Sequence, residues 1–360
     1  MPFDIVQFIR TNKMIFIWVL FFALVYVARS YGLFGLLFIT FILCFTFNNV
    51  IHWLCSHTRV HRVAWTIAVY LIFLAVIVTI LSFVLPKLVF ETRSFVQKLP
   101  EMMDKLSQFL DKTAVQSPDM AVPVVRIKKF LSVENIAGTD LEGLFNVVVG
   151  WFNQVTSYVS YFLLGTLFSF LILLDFPALR RQTAALRTSR LKDFYEIMAE
   201  SVAQFAMTVG TAFQAQMLIA LANTMMTAAG LWVLGIHPIV LLCTVVFFCG
   251  LIPVLGVFIS SAPILLVAFN SGGPSLVFWA LVMVVLVHLF EAYVLNPRII
   301  SVVFKISPLL ILIIVYLGHV FFGLWGMLLG VPVSVFIYRH FIVGAGAGAA
   351  DGALDKSTEC

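Results

Sequence analysis

Long apolar stretches dominate the chain, and polar residues are gathered at their ends. The first stretch, 14–28, follows Arg10 and Lys13 and shows no convincing cleavage site. With many further stretches behind it, it is expected to stay as a signal-anchor helix. A second stretch covers 32–51 and a third, free of charge, covers 63–85. Either can cross about 30 Å of hydrocarbon at about 1.5 Å per helical residue. The segment between them, 52–62, holds His52, His57, Arg59, His61 and Arg62. The excess of basic residues on cytoplasmic loops assigns it, with the N-terminus, to the cytoplasm.

At Pro86 the pattern changes. Residues 86–145 contain eight basic and eight acidic side chains and no long apolar run, so they are expected to form an insert outside the membrane, on the external side. Leu99, Met102, Met103, Leu106, Phe109 and Leu110 recur at helical spacing, with Pro100 suited to a first helical turn. Ser117, Pro118 and Pro123 should end that helix before a second short one over 124–131. A fourth span, 147–174, returns the chain to the cytoplasm. There Leu191, Phe194, Met198, Val202 and Phe205 form an apolar stripe opposed by charge, expected as an amphipathic helix on the inner interface or against a neighbouring subunit.

Beyond residue 209 the spans lose their regularity. The fifth, 210–235, carries Gln214, Gln216 and Asn223. The run 239–269 is too long for one ordinary span and is interrupted by Gly250-Leu251-Ile252-Pro253-Val254-Leu255-Gly256. Pro removes a backbone donor and Gly loosens the helix, so two half-helices around a turn are expected. After Gly272-Gly273-Pro274 a further span, 275–295, ends at Asn296-Pro297, and the last run, 308–341, is broken at Gly318 and at Gly323-Leu324-Trp325-Gly326. If 239–269 is a hairpin, Arg298 and Lys305 fall on the cytoplasmic side, as charge bias prefers; a full crossing would put them outside. Discontinuous helices of this kind form midplane sites in secondary transporters, since non-helical backbone is tolerated there only beside protein or a watery cavity. The alternative is that Gly and Pro merely kink two long tilted helices.

The expected architecture is all-α and polytopic. It has about eight membrane segments, two of them broken or re-entrant helical hairpins, and a small external helical insert. The layout is three spans in 1–85, the insert in 86–145, the fourth span and amphipathic helix in 146–209, a broken-helix half in 210–343, and a disordered Gly/Ala-rich tail in 344–360.

Composition narrows the class. Of 360 residues 62% are hydrophobic and 11% charged, against roughly 25% charged in soluble chains, so most of the surface must meet lipid. The net charge of +5 comes from residues flanking apolar runs, which argues against nucleic acid as a partner. Five scattered cysteines imply neither a disulfide frame nor a zinc site, and the basic loop of His52, His57 and His61 suits solvated side chains better than a metal.

The candidate chemistry centres on Glu291, the single acidic residue between Glu200 and Asp351. A charge at mid-bilayer costs about 2.5–3.5 kcal/mol on insertion scales, so it calls for a partner or a purpose. His288 lies one helical turn before it on the same face. Either the pair is a protonation or cation site, or the carboxylate makes a structural interhelical bond or reaches the interface near Arg298. Gln214, Gln216, Asn223 and His319 are weaker pathway candidates, equally suited to holding helices together. Motifs for hydrolases, zinc proteases and nucleotide-binding loops are missing from the sequence. No enzyme activity, catalytic residue, cofactor or metal is therefore expected, and transport would be driven by an ion gradient or by diffusion.

Four blocks, in order, carry a resemblance. They are Leu251-Ile252-Pro253-Val254-Leu255-Gly256; Glu291-Ala292-Tyr293-Val294-Leu295-Asn296-Pro297-Arg298-Ile299; Ser307-Pro308-Leu309; and Gly323-Leu324-Trp325-Gly326-Met327-Leu328-Leu329-Gly330-Val331-Pro332. Together with the layout over about 10–342, they resemble the AI-2 exporter (PerM-type permease) family. The resemblance implies a multi-pass transporter of the bacterial inner membrane with both termini cytoplasmic. It would move autoinducer-2 or another small molecule, or exchange sodium for protons, as a homo-oligomer, a pentamer by the same resemblance. Pro253, Gly256, Glu291, Asn296, Pro297, Pro308, Gly323 and Gly326 then occupy motif positions. The family often has a Gly-Gly pair where this chain has Gly318-His319. A passive channel and a membrane scaffold that transports nothing are the rival functions.

Overall fold

The computed structural model describes residues 26–28, 30–116, 159–185, 188, 192–253, 255–295 and 308–337. Among them every regular element is helical, as lipid demands of a backbone that must satisfy its own hydrogen bonds. α1 (Phe34–His57) and α2 (Arg62–Thr79) are followed by a π-helical turn, Ile80–Val84, and by α3 (Leu85–Gln116). α4 (Val159–Leu174) bends by 70° at Asp175 into α5 (Phe176–Ala185). α6 (Lys192–Val233), α7 (Ile239–Gly250) and α8 (Leu255–Phe290) come next, then a second π-helical turn, Glu291–Leu295, and finally α9 (Pro308–Phe322) and α10 (Leu324–Ile337). α8 is two helical arms that meet at a kink at Gly273, whose φ of 66° and ψ of −157° are not helical, where Gly272-Gly273-Pro274 separates the two runs in the sequence.

Among the described residues, four helical stretches are long and apolar enough to cross a membrane, or five if the bent α4–α5 pair is one span, and shorter apolar helices form arms of the two broken runs. Large apolar side chains lie open on the surface, such as Leu71, Ile72, Phe83 and Phe278, where a water-soluble protein would not collect them. The chain is an all-α, multi-pass membrane protein. Residues 14–25 of the expected first span, the second half of the insert and the tail lie outside the described residues.

Three details differ from expectation. Pro100 sits inside the 32-residue α3, not at its start. Proline there leaves the carbonyl one turn earlier without its donor, and because Pro100 is exposed, solvent can supply the missing bond. The shift from apolar to charged sequence at residue 86 is likewise no break in the helix, since α2, the π-helical turn and α3 run on without interruption. The amphipathic stretch and the fifth span are also one helix, the 42-residue α6. No proline and only isolated glycines interrupt 192–233, so nothing ends the helix where the hydrophobic pattern changes.

The chain divides into two compact units, 1–75 with 158–214 and 313–360, and 76–157 with 215–312. In the first, Phe38 meets Phe213 and Trp325 edge-on, with ring centroids 5.3 Å apart in both pairs. Tyr70 Oη and Ser169 Oγ share a hydrogen bond, and Cys44 Sγ donates to the Ser169 carbonyl at 3.8 Å. Such buried polar pairs join helices where no hydrophobic force acts between them. At the start of α2, Arg62 Nη2 donates to Asn48 Oδ1 at 2.7 Å, and its guanidinium lies over the Phe176 ring. The core of the second unit is built from Leu231, Ile236, Leu242, Val246, Ile264, Val267, Ala268 and Ala280.

Candidate functional site

The break in the first long apolar run opens a cleft lined by residues of the second unit alone. α7 ends at Gly250, residues 251–253 turn, and α8 starts at Leu255. Gly256 makes the turn possible: a Cβ there would lie 2.2 Å from the Cys249 carbonyl oxygen, so any side chain would force the two half-helices apart. α6 supplies one wall through Gln216, Asn223 and Thr227. Their spacings of seven and four residues keep them on one helical face. Gln214, two positions before Gln216, falls on the opposite side of α6 and does not line the cleft. The first arm of α8 supplies Ser260 and Ser261, the second arm, beyond the Gly273 kink, supplies His288, and Glu291 opens the π-helical turn that follows. Such π-helical turns often mark functional positions, because they re-aim side chains within a helix.

Polar contacts converge on the Glu291 carboxylate. Asn223 Nδ2 donates to Glu291 Oε2 at 2.7 Å, and His288 Nδ1 lies 3.5 Å from the same oxygen. The Glu291 side chain is 17% exposed and that of His288 50%, so the carboxylate is the inner member of the pair. Beside an ionised Glu291 the amide of Asn223 must present its nitrogen, because turned over its oxygen would face the carboxylate. In the observed orientation Asn223 Oδ1 is buried and has no hydrogen-bond partner. An unpaired buried oxygen costs on the order of 1–3 kcal/mol, and native structures hold few of them. Gln216 Nε2 donates to the Gly250 carbonyl at 2.7 Å, serving one of the acceptors exposed where α7 stops.

Size limits what the cleft can take as it stands. Its volume is about 40 Å³, and a water needs roughly 10–15 Å³ by this measure. A few waters or a small cation fit, whereas an organic solute would require the cleft to widen. Among the described residues, no three His, Cys, Asp or Glu side chains are grouped to hold a metal ion.

Six of the sequence candidates therefore meet in one place: Gln216, Asn223, Pro253, Gly256, His288 and Glu291. His319, Gly323 and Gly326 belong to the second break, in the first unit. Asn296 and Pro297 lie outside the described residues, as does the side chain of Pro308. Sequence reasoning missed Thr227, Ser260 and Ser261. The signal was present in the spacing of Asn223 and Thr227 by four residues and in a Ser-Ser pair within an apolar helix.

Over 203 residues the chain is 32% identical to YdbI of Bacillus subtilis (strain 168), covering 56% of this chain and 58% of YdbI. Over 316 residues it is 26% identical to YueF of the same organism, covering 84% of this chain and 81% of YueF. A protein of Thermotoga maritima is 23% identical over 215 residues, 59% of this chain and 65% of that one. All three are named as candidate transport proteins, with no cargo stated. The model of the AI-2E family transporter matches residues 15–345, and this chain belongs to that family.

Proposed function

We propose that this membrane permease moves a small solute across the bacterial inner membrane by alternating access to the Glu291 cleft. In this proposal Glu291 carries the proton or sodium ion that couples transport to a gradient, and both termini are cytoplasmic. The observation that supports it most directly is the buried Asn223, with its Nδ2 on the carboxylate and its Oδ1 unpaired. A carboxylate beside an unpaired amide oxygen offers two hard oxygen ligands to a cation, and once the carboxyl is protonated the Asn223 amide can turn over so that Oδ1 accepts its hydrogen. The carboxylate also sits where a lasting charge is costly, which favours a group that gains and loses a proton or cation during a cycle. Autoinducer-2 or a similar hydroxylated molecule is the proposed cargo, admitted when the cleft widens. The family resemblance further suggests assembly as a homopentamer.

A second reading, sodium/proton antiport without an organic cargo, is favoured by the cleft's volume of about 40 Å³. One experiment addresses both. Purified protein in liposomes is given a pH gradient, with and without sodium and with a panel of small solutes, and Glu291→Gln is compared with the native chain. Coupled flux that is lost in Glu291→Gln supports the proposal, and the panel separates the two cargoes. Flux and pH dependence unchanged in Glu291→Gln would refute the coupling role, and non-saturating flux without counter-transport would mean a channel.

A further inference from the structure

α7 starts without a cap of its own. Its N-cap residue is Pro238, and no side-chain hydrogen bond caps the helix from that position, so the N–H groups of the first turn need acceptors from elsewhere. The Leu241 N–H donates to Glu91 Oε2 of α3 at 2.7 Å, across 150 positions of sequence. Glu91 thus does for α7 what an Asp or Ser does at an ordinary N-cap, and its negative charge suits the positive end of the helix dipole.

α3 also grips the other arm of the hairpin. Phe109 meets Phe269 with ring centroids 5.3 Å apart, and Lys105 Nζ donates to Asn270 Oδ1 at 3.3 Å. Between these grips Phe95 packs against the core cluster of the second unit. The Glu91, Lys105 and Phe109 contacts lie at the base of the hairpin, away from the break. α7 has 12 residues, which makes it roughly 18 Å long. A tilt of about 10° at the base would move its tip by about 3 Å, enough to widen a water-sized cleft.

We propose that α3 is a clamp on the base of the broken hairpin, and that Glu91 is a positioning residue through which this helix sets how far the Glu291 cleft opens. The significance of the clamp rests on the cleft being the transport site. Its test reads the opening of the cleft directly, so the clamp and the transport assignment can fail separately.

The full-length chain is reconstituted in nanodiscs with its five native cysteines replaced by alanine. Ser261→Cys then reports on the cleft and Ser56→Cys on an exposed helix end elsewhere, through their rates of reaction with N-ethylmaleimide. Removing a charge-assisted hydrogen bond in Glu91→Ala is expected to change the rate at position 261 by at least about tenfold and that at position 56 by less than about twofold. Glu91→Gln keeps an oxygen that can accept the Leu241 N–H, and is expected to stay within about threefold of the native rate at position 261. Unchanged labelling at position 261 in Glu91→Ala would overturn the proposal, and so would an equal change at both positions. If Glu91→Ala does not fold, the Lys105→Ala/Phe109→Ala double variant decides by the same two criteria.

Discussion

The chain breaks two long apolar helices, and the two breaks are built in opposite ways. Between α9 and α10 the turn is the single residue Gly323, at φ 59°, and the arms close directly on each other. A Cβ on Gly318 would lie 2.3 Å from the Gly326 carbonyl oxygen, and one on Gly326 would lie 1.8 Å from that of Gly318. Trp325, next to the turn, is anchored against Phe38 of α1, and a Cβ on Gly35 would strike its ring. The break between α7 and α8 also has one close approach, at Gly256, but polar side chains and a cleft stand beside it. Glycine and proline in a membrane helix therefore do not identify a pathway by themselves. What separates the two breaks is whether the freed backbone meets more backbone or meets polar groups around open volume.

The largest effect is expected where backbone meets backbone. Gly326→Val should cost about 3 kcal/mol, the upper end for overpacking, because the clash is with a carbonyl that cannot rotate away. Thermal unfolding in lipid nanodiscs and the yield of folded protein would register it, and a native-like melting temperature would mean that the break is not sealed as described. The Glu291 cleft should behave in the reverse manner. Asn223→Leu relieves an unpaired oxygen but takes a donor from the carboxylate, opposed terms of about 1–3 kcal/mol each, so its net effect on stability should stay within about 2 kcal/mol, while proton- or sodium-coupled flux falls to background. Polar sites that serve function are commonly neutral or costly to stability. A large loss of stability in Asn223→Leu with flux retained would make this residue a structural link like Tyr70 and Ser169.

Much of this was legible in the sequence, for reasons that are local. Pro253 and Gly256 announce the first break because they act on the backbone where they stand, and Glu291 stands out because a carboxylate is costly among apolar neighbours. The pairing of His288 with Glu291 followed from helical spacing alone. The partnership of Glu291 with Asn223, 68 residues away, did not, because no periodicity links two separate helices. Glu91 was hidden for the same reason: in sequence it is one of eight acidic residues of a charge-balanced insert, and only the fold brings it to Leu241 N–H. The course of α3 through Pro100 was misjudged because a solvent-exposed proline costs a helix less than a buried one.

A smaller effect is expected at the rim of the cleft. Gln216→Leu leaves the Gly250 carbonyl without the side-chain donor it has now, a loss of about 1–2 kcal/mol that should be confined to the turn. Hydrogen exchange of the amides at 251–256 should quicken, while those of α9 and α10 keep their native rates. Quickening in both regions would show that the two breaks share one cooperative unit and do not respond separately.

The smallest effect tests which contact holds the base of the open hairpin. Glu101 and Lys105 pair on α3 at 2.7 Å, with both side chains largely exposed. The hydrogen bond and charge of Lys105 hold the Glu101 carboxyl below its usual range. For a carboxyl lowered in the folded state, the stabilisation is present above the usual carboxylate range and lost as pH falls through the lowered value. Exposure to water and salt leaves such pairs little weight. Glu101→Gln should therefore give no resolvable change in melting temperature at pH 7, and the native chain and the variant should lose stability in parallel as the pH is lowered. Glu91 differs in being partly buried and directed at an uncapped helix start, so Glu91→Ala should register where Glu101→Gln does not. If Glu101→Gln alone removed an acid-dependent loss of stability, the exposed pair would be holding the hairpin base, and the contrast drawn between the two carboxylates of α3 would be reversed.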